Sequence, residues 1–152
     1  MKKNYFTLLF LIVFGFSINF AFAQKPTVSI RTISKFPLIE GNTYQFKVGL
    51  SAANNEDTVI DVSTIAETAN ETDYTPLTTT IIIPAGALLS NEFAIATTND
   101  SNIEDNEIFK VNAKVTSDNT SNKETFSSIY ITDNDAIPTL KTYANTAKVV
   151  EG

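Results

Sequence analysis

Apolar and polar residues alternate along several short segments of the chain. From residue 44 to residue 50, every second side chain is large and apolar, which places these side chains on one face of an extended strand. The same period of two recurs over residues 109–115 and, more briefly, over residues 93–95. These segments predict β-strands that each bury one face in a core.

Four further segments predict strands from their composition. Residues 78–83 are all β-branched, residues 127–132 contain Ile-Tyr-Ile, and residues 28–33 and 59–65 are rich in Val, Ile and Thr. Asn-, Asp-, Ser- and Gly-rich turns separate the strands, at residues 53–57, 84–86 and 117–122. About seven strands in about 110 residues are typical of an all-β, immunoglobulin-like antiparallel β-sandwich.

The first 23 residues have the pattern of a signal peptide. Lys2 and Lys3 precede an apolar run over residues 6–16, and Ala-Phe-Ala at residues 21–23 resembles a cleavage site ahead of Gln24. The alternative is a membrane anchor, but a spanning helix needs about 20 apolar residues and usually keeps flanking charge. We therefore expect export and a secreted or cell-surface location.

Charge and residue usage exclude several classes of function. The formal net charge is −6, and removal of Lys2 and Lys3 with the signal peptide makes it −8, so an acidic surface disfavours nucleic acid as a partner. Histidine and cysteine are absent, which removes the usual general base, thiol nucleophile and transition-metal ligands. A glycosidase-like pair of Glu104 with Asp133 or Asp135 would need a substrate cleft, which a loop tip without tryptophan does not predict. We expect no enzymatic activity.

Acidic residues cluster in four loops between the predicted strands. They lie at residues 40–41, 73–76, 99–107 and 133–135. Carboxylates that are dispersed in sequence but placed at strand ends can meet at one end of a sandwich, where a hard cation relieves their repulsion. The pattern predicts a calcium site. The structural alternative is that Asp, Asn and Gly serve here only as turn residues, with Asp73 capping a loop.

A short internal repeat indicates how the chain is organised. Pro-Thr-Val at residues 26–28, followed by Leu-Ile-Glu-Gly at 38–41, is echoed by Pro-Thr-Leu at 138–140, followed by Val-Val-Glu-Gly at 149–152. One strand cannot bury its face alone, so the second copy predicts the start of another domain. We expect a domain over residues 24–136, then a linker and truncated repeat over 137–152, as in a tandem array.

The order and spacing of these motifs resemble the Calx-beta domain family, which is named for the regulatory repeats of sodium/calcium exchangers. The resemblance covers about residues 26–136, and it is carried by the segments 38–41, 69–76, 83–86, 98–100, 104–109 and 129–135. It implies an immunoglobulin-like sandwich that binds calcium through the loops at one end, near the junction with the next domain.

The resemblance also implies which side chains bind the metal. The ligand set carried over is Glu40, Asp73, Asn99, Asp100, Glu104, Asp133 and Asp135. Asn99 and Asn134 depart from the fully acidic pattern of the family, and Glu107 is a secondary candidate. Because affinity follows ligand charge, binding is expected at about 10⁻⁴ to 10⁻³ M, the range of extracellular modules.

Two functions remain open from the sequence. In the first, calcium orders the end loops and stiffens the joint with an adjacent repeat domain. In the second, the module is a metal-free spacer or adhesion domain that presents Thr, Asn and Ser side chains to a cell-surface protein or glycan. The resemblance implies adhesion or cell communication, and only the first function predicts that stability depends on calcium.

Overall fold

The computed structural model describes residues 24–137 and residues 139 and 140. The predicted signal peptide, and the predicted linker and second repeat apart from residues 137, 139 and 140, lie outside the described residues. Within those residues the regular secondary structure consists of β-strands, and there is no helix there that is long and apolar enough to cross a membrane. The predicted all-β class is confirmed.

Eight strands form two sheets. The smaller sheet has the order β1-β3-β6 and the larger sheet the order β2-β8-β7-β4-β5. The strands are β1 (Val28–Thr32), β2 (Leu38–Ile39), β3 (Thr43–Leu50), β4 (Thr58–Ala66), β5 (Thr78–Ile83), β6 (Phe93–Ala96), β7 (Glu107–Val115) and β8 (Glu124–Thr132). All seven predicted strands are present, and β8 begins three residues before the predicted residue 127.

The alternating strands supply the core, as their periodicity predicts. On β3 the apolar face consists of Tyr44, Phe46, Val48 and Leu50, all of which are buried, and the apolar face of β7 from Phe109 to Val115 is buried opposite it. The core is one continuous cluster between the two sheets. Its burial of apolar area is the main source of stability for a chain that has no cysteine.

One strand pairing differs from those of the simplest antiparallel sandwich. β2 has only two residues and was not predicted, because two residues cannot show a period; it pairs with β8 in parallel, with Ile39 opposite Thr132. All other strand pairs in the described residues are antiparallel. The parallel pair matters because the chain leaves β2 and β8 at the same end of the sandwich.

The acidic loops meet at that end of the sandwich. β7 begins there, since Glu107 lies opposite Ile131 of β8, and β4 ends there, since Ala66 lies opposite Phe109. Beneath the loops, Tyr74 stacks on Phe109 with ring centroids 4.3 Å apart and an interplanar angle of 18°. This buried aromatic pair anchors the loop that carries Asp73 to the top of the core.

Candidate metal centre

Parallel pairing of β2 and β8 places Glu40 next to Asp133. Each is the first residue after its strand, and the Glu40 N–H donates to the Thr132 carbonyl at 3.1 Å, which continues the ladder by one residue. The turn that follows β8 brings Asp135 to the same point. Two carboxylates that are 93 residues apart in sequence are thus set side by side by the sheet.

Seven carboxylates converge at this end, in three overlapping groups whose ligand oxygens lie within 4.8 Å of one another. The groups are Glu40 with Asp133 and Asp135, Glu40 with Asp100 and Glu104, and Asp73 with Glu104 and Glu107. Glu40 and Glu104 each belong to two groups. They join the three groups into a single cluster, which we call the acidic end.

Glu40 lies at the centre of the acidic end and is buried. Its exposed fraction is 7%, and its Oε1 has no hydrogen-bond partner within the described residues. Asp135 Oδ2 is likewise buried without a partner there. Buried unpaired carboxylate oxygens are costly unless a cation or a proton satisfies them. Both oxygens belong to the same group of three carboxylates, with Asp133 as the third member.

Loop backbone groups hold the other carboxylates in place. Asp133 Oδ2 accepts a hydrogen bond from the Glu104 N–H at 3.0 Å, and its Oδ1 accepts from the Asp135 N–H at 2.8 Å. Asp100 accepts from the Asn102 N–H at 2.7 Å. These bonds use part of each carboxylate, which has about four lone-pair sites, so further coordination by the same groups remains open.

Asp73 also has the capping role that the structural alternative assigns to it. Its Oδ2 accepts a hydrogen bond from the Asn70 N–H at 2.7 Å, and its Oδ1 accepts from the Thr72 hydroxyl at 2.9 Å. The Thr98 N–H donates to the Asp73 carbonyl at 2.8 Å, which ties this loop to the end of β6. Capping explains how Asp73 is held, but it does not explain why its carboxylate lies with Glu104 and Glu107.

The acidic end encloses a cavity of about 10 Å³. Its lining includes carboxylates of all four acidic loops, together with Thr72, Thr98 and Ile131. A volume of this size is about that of one water-sized sphere, and it leaves no room for an organic ligand. Oxygen ligands, several formal negative charges and a cavity for a single ion are the conditions that suit Ca²⁺. The residues present therefore fit the metal that the sequence predicts.

Electrostatic repulsion within the cluster shows in the pKa values. Burial, followed by the nearby Asp73, raises the pKa of Glu107 to about 7. Burial also raises the pKa of Glu40, with Asp133, Asp135 and Asp100 adding to the effect, and it raises that of Glu104. The hydrogen bonds from the Asp135 and Glu104 N–H groups instead lower the pKa of Asp133. Without a cation, the cluster favours partial protonation.

We expect the metal-free protein to lose stability as the pH rises from about 5 to about 7.5. The pKa of Glu107 is about 7 in the folded state, against an ordinary value of 4.5. Between these values the folded state binds more protons than the unfolded state, so raising the pH favours unfolding. Urea unfolding in chelator at a series of pH values measures the slope. Glu107→Gln removes this ionisation and should flatten the slope, and an equal slope in both proteins would contradict the assignment.

Asn99 lies at the edge of the acidic end. Its Nδ2 donates to the Asp100 carbonyl at 2.9 Å, and its Oδ1 accepts from Asn134 Nδ2 at 2.9 Å. The two asparagines at which the chain departs from the family pattern therefore bond to each other. This contact replaces a carboxylate with a neutral amide pair beside Glu40. Asn99 stays a predicted ligand, whose Oδ1 is shared with Asn134.

The structure promotes two residues that the sequence ranked low or omitted. Glu107, a secondary candidate, lies in one of the three carboxylate groups, and Asp105 lines the cavity. Glu107 is the first residue of β7, and the pairing with β8 fixes its position. The sequence signal for Glu107 is the start of β7. A strand that begins at residue 107 places its first side chain next to the loops that follow β4 and β8.

Gly41 allows the close approach of the loop that carries Asn99. It has φ +73°, and a Cβ added to it would lie 2.7 Å from the Asn99 Cβ. Gly41→Ala should therefore cost backbone strain of about 1 kcal/mol and a clash in addition. Gly86, with φ +79° and open space where a Cβ would lie, is the matched control, since Gly86→Ala costs the strain alone. Equal losses of unfolding free energy in the two variants would show that Asn99 moves away from the added Cβ at no measurable cost.

Solved structures of Calx domains are similar to this chain. The apo form of the Calx CBD1 domain aligns with a TM-score of 0.56 and 15% identity over 72% of this chain and 99% of that domain. CBD12 from CALX1.2 aligns at 0.58 and 16% identity, and the calcium binding domain CBD12 of CALX1.1 at 0.60 and 16% identity, each over 70% of this chain. The chain spans 45% and 46% of those two structures, respectively.

The similarity to known proteins is found in the structure and not in the sequence. No protein-family model matches the chain, and no curated protein matches it in sequence. The similarity therefore lies in the arrangement of strands, with about one residue in six identical. The chain has the β-sandwich fold of the Calx calcium-binding domains, as its motifs predict.

Proposed function

We propose that the chain is a calcium-binding β-sandwich module in which Ca²⁺ occupies the acidic end. One observation carries the proposal: Glu40 Oε1 and Asp135 Oδ2 are buried without partners in the described residues, inside a cluster of seven carboxylates. Bound Ca²⁺ would supply the positive charge that satisfies these oxygens and offsets the mutual repulsion. Glu40, Asp73, Asp100, Glu104, Glu107, Asp133 and Asp135 would hold it.

The fold supports this proposal from a separate direction. The CBD12 structure of CALX1.1 is described as a calcium binding domain, and this chain shares its architecture. In this chain, the carboxylates that order the loops by hydrogen bonding differ from the carboxylate whose oxygen has no hydrogen-bond partner in the described residues. Asp133 and Asp100 use backbone N–H groups to order their loops, while Glu40 presents an unpaired oxygen toward the cavity. A cation would thus bind between loops whose conformations are already held by these hydrogen bonds.

The module would act outside the cell as one unit of a tandem array. The predicted signal peptide over residues 1–23 supports export, and the echo of residues 26–41 at 138–152 supports an adjacent repeat. The acidic end includes Asp133 and Asp135, so it lies where the chain continues toward that repeat. Calcium would then order the joint between domains, with adhesion or communication at the cell surface as the role of the array.

Thermal unfolding of the chain from Gln24 onward tests calcium binding. Calcium in hundredfold excess over Kd should raise the unfolding free energy by about 2.7 kcal/mol relative to chelator, a shift of many degrees in Tm. The same concentration of magnesium should give a smaller shift, since Mg²⁺ demands a tighter octahedral shell. An unchanged Tm in calcium would refute the proposal and leave the metal-free spacer or adhesion domain in its place.

A further inference from the structure

The larger sheet ends in a strand whose outer edge is unprotected. β5 has six residues, Thr-Thr-Thr-Ile-Ile-Ile, with no charge and no proline, and it is the last strand on its side of the sheet. Free edges of this kind invite pairing with another strand, and proteins usually blunt them with charge, proline, bulges or shortness. Six β-branched residues are also the composition that favours extended pairing.

The other sheet edges in the described residues have such protection. β2 has only two residues, and β1 carries Arg31. β6 has four residues and follows Glu92, which forms an ion pair with Lys47 at 3.2 Å. Among the edge strands that the structure describes, β5 is therefore the one that is both long and unprotected. Its free backbone groups are available to a partner strand.

The hydrogen bonds of β4 fix which groups of β5 point outward. The Thr64 N–H donates to the Leu77 carbonyl at 2.9 Å, and the Thr116 N–H donates to the Val59 carbonyl at 2.9 Å. Along β4, even-numbered residues therefore bond to β5 and odd-numbered residues to β7. With Thr80 opposite Asp61, the backbone groups of the even residues of β5 face away from β4. Thr78, Thr80 and Ile82 carry these free groups, and all three residues are exposed.

Two prolines limit the length of this free edge. Pro76 and Pro84 occupy the next even-numbered positions on either side, and proline has no N–H to donate. The usable edge is thus centred on Thr80, with Thr78 and Ile82 at equal distances from it. An edge with this symmetry matches a copy of itself run in the opposite direction.

We propose that β5 pairs antiparallel with β5 of a second copy of this chain, with Thr80 opposite Thr80. Thr78 then lies opposite Ile82, and about six backbone hydrogen bonds form between the two strands. A shift of two residues in either direction would place a proline opposite Thr78 or Ile82 and remove donors. The twofold axis is perpendicular to the sheet, so the two five-stranded sheets become one continuous sheet of ten strands.

The charge distribution favours a second copy in this orientation. The acidic end of each copy lies toward the start of β5, because Asp73 is on the loop that precedes it. Antiparallel pairing therefore sends the two acidic ends to opposite poles of the dimer, where the repulsion between the clusters is screened by salt. The paired segment itself carries no charge, so the contact brings no like charges together.

Single cysteine variants test the register, because the natural chain has no cysteine. In Thr80→Cys the two Cα atoms would lie about 5.5 Å apart across the twofold axis, within the range of a disulfide. In Thr78→Cys, on the same face of the same strand, the two copies of residue 78 would lie about 14 Å apart. Mild oxidation should yield about tenfold more covalent dimer from Thr80→Cys. Equal yields from both variants would overturn the register.

A second pair of variants tests the backbone bonds. Thr80→Pro removes the outward backbone N–H, whereas Thr80→Val keeps that N–H. Both variants lose the hydroxyl that donates to Asp61 at 2.7 Å, so they differ in the backbone donor. Sedimentation at increasing concentration should show dimer in the natural chain and in Thr80→Val, and about tenfold weaker association in Thr80→Pro. A natural chain that stays monomeric at millimolar concentration, and that gives no excess cross-linking in Thr80→Cys, would overturn the proposal.

Calcium separates this proposal from the proposed function. β5 contributes no residue to the acidic end, so association in chelator and in calcium should be equal. A dimer that forms only with calcium would point to a metal-bridged contact and overturn pairing through β5. A calcium-insensitive dimer would support the pairing whatever the outcome of metal binding.

Discussion

In chelator, Glu40→Gln is expected to unfold at a higher temperature than the natural protein, and it is expected to lose most of the gain that calcium confers. The substitution removes a buried charge that faces Asp133, Asp135 and Asp100. It keeps the size of the side chain and one of its two oxygens. One change thus stabilises the metal-free state and weakens the calcium-bound state.

The size of the second effect follows from binding linkage. If the natural protein gains about 2.7 kcal/mol at a hundredfold excess of calcium over Kd, a hundredfold weaker site gains only about 0.4 kcal/mol at the same concentration. Differential scanning calorimetry in chelator and in calcium gives both numbers for each protein. Without this opposite pair of shifts, the buried Glu40 would be a structural residue and the metal would bind elsewhere in the cluster.

Glu56→Gln is the matched control for charge. Glu56 is exposed in the turn between β3 and β4, at the other end of the sandwich from the acidic end. It changes the net charge by the same amount without touching the cluster. Its Tm should change little in chelator, and its gain in calcium should equal that of the natural protein, since long-range surface charge effects are screened.

Phe109→Ala is expected to cost about 3–5 kcal/mol of unfolding free energy, which is the largest loss among the substitutions considered. Phe109 is fully buried on β7 and stacks on Tyr74, so truncation leaves a cavity beneath the loop that carries Asp73. We expect calcium affinity to fall as well, because Asp73 would lose its anchored position. Chemical denaturation in chelator measures the first effect, and calorimetric titration measures the second.

Phe126→Ala is the matched control for the aromatic truncation. Phe126 is on the adjacent strand β8 but faces outward, with 65% of its surface exposed and the Lys110 ammonium 5.4 Å from its ring centroid. Loss of that cation–π contact should cost about 0.5–1 kcal/mol. Comparable losses in the two variants would mean that the core tolerates the cavity by collapsing around it.

The strands could be predicted because their chemistry is local. The alternation from residue 44 to 50 and from 109 to 115 requires a half-buried strand, and both faces lie where the pattern puts them. β2 could not be predicted, because Leu38 and Ile39 form a strand only through pairing with β8. A two-residue strand is a property of the assembled sheet, not of the segment itself.

The candidate site was predictable in part for the same reason. Acidic residues at strand ends indicated that Glu40 and Asp133 could meet, and the sheet brings them together. The rank of Glu107 depended on where β7 begins, and the pairing with β8 decides that. The contact between Asn99 and Asn134 was beyond prediction, because side chains 35 residues apart meet only once both loops are built.

The parallel pairing of β2 with β8 has a mechanical consequence. The chain enters the sandwich beside the start of β8, where the Pro26 carbonyl accepts a hydrogen bond from the Ser121 N–H. It leaves the sandwich at the end of β8, beyond Thr132. Tension applied between these two points runs along the strands. β8 is then loaded in shear against β7 on one side and β2 on the other, so its hydrogen bonds must break together and cannot open one at a time. Such a unit should resist stretching strongly and yield abruptly.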